Sequence, residues 1–150
     1  MPLLRAWKEH GLRRLAPLAA ELAVARLERP PVDVITYIPA DPVRQLTRAH
    51  HPAQAFAHEL ARLWQLDCEQ LLERTRHVER QAELPLARRA GNVRGAFASR
   101  RTTGGRVALV DDIYTSGSTA NAAARALRSA GADRVEVVTF ARALRSDTLL

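Results

Sequence analysis

Strand-like runs alternate with helical runs along this chain, and the strand-like runs are continuously apolar. Together these predict an α/β fold with a mainly parallel central sheet flanked by helices. Length supports this: 150 residues, 47% of them hydrophobic, suit one domain with a sizeable core. We read residues 1–150 as a single domain, with an N-terminal helical segment over 1–30 and a flexible basic loop over 75–106.

The elements follow in order. Leu4, Trp7, Leu12, Leu15, Leu18, Leu22 and Ala25 recur at helical spacing, interrupted by Gly11 and Pro17. Proline suits a first turn and not a helix interior, so the pattern predicts two helices, over 3–10 and 16–28. Arg29-Pro30-Pro31 ends the second. Val32, Val34, Ile35, Tyr37 and Ile38 predict a buried strand that Pro39 stops. Phe56, Leu60, Leu63 and Trp64 predict a helix over Ala53–Gln65, and a second strand is expected at Glu69–Arg74. The region Thr75–Arg106 reads as mostly irregular, with a short helix from Pro85 to Gly91 inside it. "RVALVDD" is a third strand. Ser118–Ala130 is a helix closed by Gly131, and "RVEVVTFARA" is a fourth strand.

Charge is unevenly spread. The formal net charge is +7, and residues 74–106 hold nine arginines (Arg74, Arg76, Arg80, Arg88, Arg89, Arg94, Arg100, Arg101, Arg106) against two acids, Glu79 and Glu83. The rest of the chain is balanced, so the excess is one patch, which suggests an anionic partner. No stretch nears the roughly 20 apolar residues a membrane span needs, and the N-terminal arginines lack signal-peptide order. A cytoplasmic protein is expected. The single cysteine, Cys68, excludes an internal disulfide and reads as a small residue at a strand edge. Adjacent His50 and His51 before Pro52 read as a loop feature rather than a metal site, and His77 as a weak proton-transfer candidate.

The stretch "VALVDDIYTSGST" carries the chemistry. An apolar strand, Val107–Val110, ends in Asp111 and Asp112, at the sheet end where α/β folds bind ligands. Thr115, Ser116, Gly117, Ser118 and Thr119 follow and lead into a helix. A helix start offers unpaired N–H groups and partial positive charge, and so receives phosphate. Gly117 lets the backbone turn and approach a ligand. Two acids beside a phosphate cradle match a sugar phosphate, the carboxylates accepting from neighbouring hydroxyls. There is no lysine for a P-loop and no second glycine for a dinucleotide fingerprint. The plain alternative is a strand-to-turn with Asx and Ser/Thr caps.

This stretch resembles the phosphoribosyl-pyrophosphate (PRPP) motif of type I phosphoribosyltransferases. Three others resemble the ComF-like competence-protein family: "WKEHGLRRLAPLAAELA", "YIPADPVRQLTRAHHPAQAFAHELA" and "LLERTRHVERQAELPLARRAGNVRGAF". The resemblance spans residues 8–142. The family's N-terminal four-cysteine module is absent, so zinc is not expected. Its Arg-Gly-Phe-Asn-Gln stretch appears here as "RAHHPAQ", where only Gln54 and, more loosely, Arg48 carry over.

The resemblance implies a type I phosphoribosyltransferase fold. It implies that Asp111 and Asp112 bind the ribose hydroxyls of PRPP and serve catalysis, and that Thr115, Ser116, Gly117, Ser118 and Thr119 hold the 5′-phosphate. Backbone at Ala40 and Asp41 would meet the pyrophosphate, with Mg²⁺ held largely by ligand and water and not by a protein metal site. Arg44, Arg48, Arg74, Arg76 and Arg80 would steady the leaving group, while Asn92, Val93 and Phe97 fix loop geometry. Two readings stand. One is transfer of phosphoribosyl to a nitrogenous base with release of pyrophosphate. The other is a non-catalytic PRPP- or nucleotide-binding protein of DNA uptake and natural transformation, touching single-stranded DNA or competence and helicase proteins, in an oligomer or alone. Residues 74–106 hold one aromatic, Phe97, which weakens base stacking there.

Overall fold

The computed structural model describes residues 15–41, 51–75 and 95–142. The predicted helices over 3–10 and 85–91 lie outside these residues, as do Arg44, Arg48, Arg76, Arg80, His50, His77, Asn92 and Val93.

Helix α1 (Leu15–Val24) leads to strand β1 (Val34–Tyr37), helix α2 (Pro52–Trp64) and the short strand β2 (Asp67–Cys68). Strands β3 (Leu72–Arg74) and β4 (Phe97–Ser99) precede β5 (Arg106–Tyr114), helix α3 (Ser118–Ser129) and β6 (Arg134–Arg142). The central sheet runs β2-β1-β5-β6 and every pair in it is parallel. The α/β expectation, a mainly parallel sheet flanked by helices, is met.

Both faces of this sheet are covered, which is why "VALV" does not alternate with polar residues. Val107, Ala108, Leu109 and Val110 are all fully buried. Their side chains divide by parity. Ala108 and Val110 pack with Ile35, Tyr37 and Val138 against α1 and α2. Val107 and Leu109 pack with Ala123 and Leu127 of α3. Each such valine or leucine contributes about 1.5–3 kcal/mol by leaving water.

Three expectations need correction. Helix α1 ends at Val24 rather than residue 28; the chain then turns, with Leu27 N–H bonded to Ala23 O at 2.8 Å. Its buried stripe is Ala16, Ala19 and Ala20, while Leu18 and Leu22 face outward. Ala19 and Ala20 share a core with Ala53, Ala57 and Ala61 of α2, so small residues allow the two helices to approach closely.

Glu69–Arg74 is not one strand. Asp67–Cys68 joins β1 in the main sheet, whereas Leu72–Arg74 pairs antiparallel with Phe97–Ser99 in a separate two-stranded sheet. The break falls where buried Thr36 Oγ1 accepts Leu71 N–H at 3.2 Å and Ile35 O accepts Glu69 N–H. The basic region is accordingly not loop throughout, since β4 lies within it.

The third strand runs past Asp112 to Tyr114, because β6 pairs with it as far as Tyr114↔Arg142. After α3, Gly131 (φ +105°) gives its N–H to Arg128 O, and Ala132 N–H reaches Leu127 O, a Schellman closure. A side chain at Gly131 would stand 3.0 Å from Thr103 O. Cys68 sits half-buried on the edge strand, and burial pushes its thiol up to about 11. Among the described residues no helix is long and apolar enough to cross a membrane.

Candidate functional site

Strand order sets the place of the site. The connection through α2 leads from β1 to β2 on one face, and the connection through α3 leads from β5 to β6 on the other. The winding reverses between β1 and β5, and crevices beyond the strand ends open at such a reversal. β1 stops at Tyr37, opposite Val110, while β6 continues beside β5. Asp111 and Asp112 are the first residues of β5 without a β1 neighbour.

The two aspartates fall on opposite faces, Asp111 with Val107 and Leu109, Asp112 with Ala108 and Val110. Both are half-buried. Asp111 Oδ1 accepts the N–H of Asp112 at 2.9 Å, and Asp112 Oδ1 accepts that of Ile113 at 2.9 Å. The first bond stands in for the ladder partner that β1 no longer provides. Each carboxylate is thereby held along the strand.

The turn into α3 follows. Gly117 is the N-cap residue, at φ +73°, and makes no side-chain cap bond. Ser and Thr therefore do not cap this helix in the usual way. Ser116 Oγ lies 2.9 Å from Ser118 Oγ and 3.4 Å from Ser118 N, while Thr115 and Ser116 are exposed. The helix opens on small hydroxyl side chains and backbone N–H groups, the donor set for an anion. Tyr114 explains the glycine a second way. A side chain at 117 would meet the Tyr114 ring, with the phenol oxygen 2.2 Å from its Cβ. Arg142 lies over that ring, its Cζ 5.9 Å from the centroid. Tyr114 and Arg142 were not singled out by sequence, since their neighbourhood comes from strand register.

At the same sheet end, Pro39, Ala40 and Asp41 follow β1. Arg74 reaches them from β3: its Nε donates to Pro39 O at 2.9 Å, and its guanidinium stacks 4.8 Å from the Phe97 centroid. Arg74 and Phe97 are register partners in the small sheet. Phe97 thus fixes geometry by carrying an arginine. His51, read as a plain loop residue, proves structural. It is the N-cap of α2, its Nδ1 3.2 Å from Gln54 N, and its Nε2 lies 2.8 Å from Ala40 N. The only sequence signal was its position directly before Pro52.

The structure therefore brings Arg74 to the start of the Pro39–Asp41 loop after β1, with Asp111 to Thr119 following the neighbouring strand β5 at the same sheet end. Among the described residues, two other arginines of the basic patch turn elsewhere. Arg101 pairs with Glu69, and Arg106 with Asp33 at 2.9 Å, both on exposed surface. Hydrogen bonds from Arg106 hold the Asp33 carboxyl below its usual range. Among the described residues no three His, Cys, Asp or Glu side chains gather as a metal cage.

Comparison with known proteins gives a consistent result. Residues 10–148 match the phosphoribosyl transferase domain family. The chain is 30% identical over 142 residues to competence protein F of Haemophilus influenzae, covering 91% of this chain and 62% of that protein's length. Among solved structures it resembles the glutamine phosphoribosylpyrophosphate (PRPP) amidotransferase of B. subtilis, complexed with ADP and GMP. That match has a TM-score of 0.54 and 26% identity, and covers 85% of this chain and 25% of that one. Adenine phosphoribosyltransferase from Thermoanaerobacter pseudethanolicus shares the fold at TM-score 0.54 and 17% identity, over 89% of this chain and 71% of the other.

Proposed function

The chain belongs to the phosphoribosyl transferase domain family, and from that premise we propose that it binds PRPP or ribose 5-phosphate between the ends of β1 and β5. The carrying observation is the side-by-side placement of Asp111-Asp112, just past the end of β1, and a helix start capped by Gly117. In this reading the first-turn N–H groups of α3, with Thr115, Ser116, Ser118 and Thr119, take the 5′-phosphate. Asp111 and Asp112 accept hydrogen bonds from the ribose hydroxyls. Ala40 and Asp41 backbone and the Arg74 guanidinium face the pyrophosphate; Arg44 and Arg76 join them by resemblance alone.

The reaction is transfer of the phosphoribosyl group to a nitrogenous base. The base nitrogen bonds to the anomeric carbon, the bond to the pyrophosphate oxygen breaks, and its electron pair leaves with the pyrophosphate. Positive charge gathers on the ribose, where the aspartates stabilise it. Negative charge gathers on the leaving group, where Arg74 and backbone N–H groups stabilise it. The oxygen donors of this site would suit a Mg²⁺ ion that enters with the ligand and is held largely by ligand and water. When bound, Mg²⁺ neutralises pyrophosphate charge.

The likeness to a competence protein favours a second reading, a nucleotide- or PRPP-binding protein in DNA uptake with no transfer step. Calorimetric titration with PRPP and Mg²⁺ tests what the two share, with saturable binding expected; no binding sinks both. Pyrophosphate release on adding bases then separates them, and binding without release for every base screened favours the second.

A further inference from the structure

The His51 imidazole is claimed by two donors at once. Ala40 N–H points to Nε2 at 2.8 Å, and Gln54 N–H points to Nδ1 at 3.2 Å. A neutral imidazole accepts at one nitrogen and donates at the other, and imidazolium accepts at neither. One ring cannot satisfy both. In the Nδ1–H tautomer Ala40 is held and Gln54 N–H loses its cap. In the Nε2–H tautomer Gln54 is capped and two N–H groups face each other at Ala40. The shorter contact favours the first, leaving an N–H of the α2 start without its acceptor.

Resting on the reading of the Pro39–Asp41 loop as the pyrophosphate side, we propose that His51 is a positioning residue that exchanges Ala40 N–H with the bound pyrophosphate. In the free protein the ring holds this N–H. On binding, an anion oxygen accepts it, and the ring takes a proton from solvent and faces the anion as imidazolium. Release ends the ring's bond to Ala40, which the charge-assisted contact of imidazolium with the anion replaces, while Gln54 N–H stays uncapped as it already is in the Nδ1–H tautomer. Protonation then adds a cation beside the ligand. The loop is steadied independently by Arg74 at Pro39 O, so losing the ring contact does not unseat it.

The ionisable groups packed around the ring, among the described residues, are few. Tyr37 of β1 lies edge-on at 5.4 Å between ring centroids, and burial pushes its phenol up, so it stays neutral near pH 7. His58 of α2 also packs on Tyr37, at 6.1 Å between ring centroids. Asp41 and Arg74 flank the loop with opposite charges. Binding of an anion raises the affinity of His51 for a proton, so anion affinity falls as pH rises through the histidine range.

The test is titration of inorganic pyrophosphate with Mg²⁺ from about pH 6 to about pH 8. His51→Asn is the comparison, since asparagine caps the helix but falls short of Ala40. The ligand's own protonation is common to both proteins. Wild-type affinity is expected to fall about tenfold more than that of the variant across this range. Imidazole-nitrogen NMR of the wild type should show one neutral tautomer turning to imidazolium on binding, which needs no variant. Equal slopes, or a ring still neutral in the complex at about pH 6, overturn the exchange alone. Loss of pyrophosphate binding with ribose 5-phosphate still bound overturns the exchange and that half of the site. Binding of neither overturns the proposed function as well.

Discussion

The two sides of the proposed site are built differently. The proposed phosphate side is one continuous stretch, Asp111 to Thr119, in which a strand end, a turn and a helix start supply every group. The proposed pyrophosphate side comes from four separate places: the backbone after β1, the cap of α2, Arg74 on β3 and Phe97 on β4. A site made by local geometry depends on backbone conformation at one or two residues. A site made by assembly depends on long-range contacts, each replaceable but jointly required. The two sides should therefore fail in different ways.

Replacing both aspartates, Asp111→Asn with Asp112→Asn, should have the largest effect. Charge-assisted bonds to two hydroxyls are worth about 1.5–3 kcal/mol each. PRPP affinity should drop at least about 100-fold, while the melting temperature stays near that of the wild type, because asparagine can still accept the N–H groups of Asp112 and Ile113. Unfolding of this variant would make the pair structural and erase the contrast.

Gly117→Ala comes next. It forces a Cβ against the Tyr114 ring and places a side chain at φ +73°, which alone costs about 1–2 kcal/mol. Ribose 5-phosphate affinity should fall about tenfold or more, with inorganic pyrophosphate affinity little changed. Arg74→Lys should do the reverse, weakening pyrophosphate several-fold and sparing ribose 5-phosphate, because lysine cannot stack on Phe97 while also bonding Pro39 O. Paired titrations of the two variants check this crossing pattern. Equal losses for both ligands in either variant would break the division into two sides.

The smallest effect belongs to a pair outside both. Asp33 and Arg106 lie on exposed surface, and the carboxyl titrates below its ordinary value. Any stability from the pair is present above the ordinary aspartate range and fades as pH falls through the lowered value. Asp33→Asn should remove that acid-side dependence in thermal melts between about pH 2 and pH 5 and leave ligand binding untouched.

The same division explains how much could be read from sequence. Asp111 to Thr119 was legible because strand, acids, hydroxyls and glycine follow one another. α2 and α3 were legible through periodic apolar residues and their capping positions. The second strand was misread because pairing partners decide it: Cys68 follows Ile35 of β1, while Leu72 follows Ser99 of β4, far along the chain. The role of Arg74 was guessed from its charge and became specific only with Pro39 and Phe97 beside it. The arginine excess promised one anionic face, yet Arg101 and Arg106 meet acids from outside the segment. His51 carried no sequence signal beyond standing before a proline, since its second partner is eleven residues back.

The division of β5 between two faces carries one further consequence. Each residue from Val107 to Asp112 has its side fixed by counting from the one before. A single inserted or deleted residue in this run would send every later side chain to the opposite layer. Val110 would leave the α2 side, Leu109 would leave α3, and the two aspartates would trade places or be lost to the interior. The stretch can thus tolerate exchange of one apolar residue for another far better than any change in its length. Natural variation here should be written in substitutions, with insertions and deletions confined to the segments on either side.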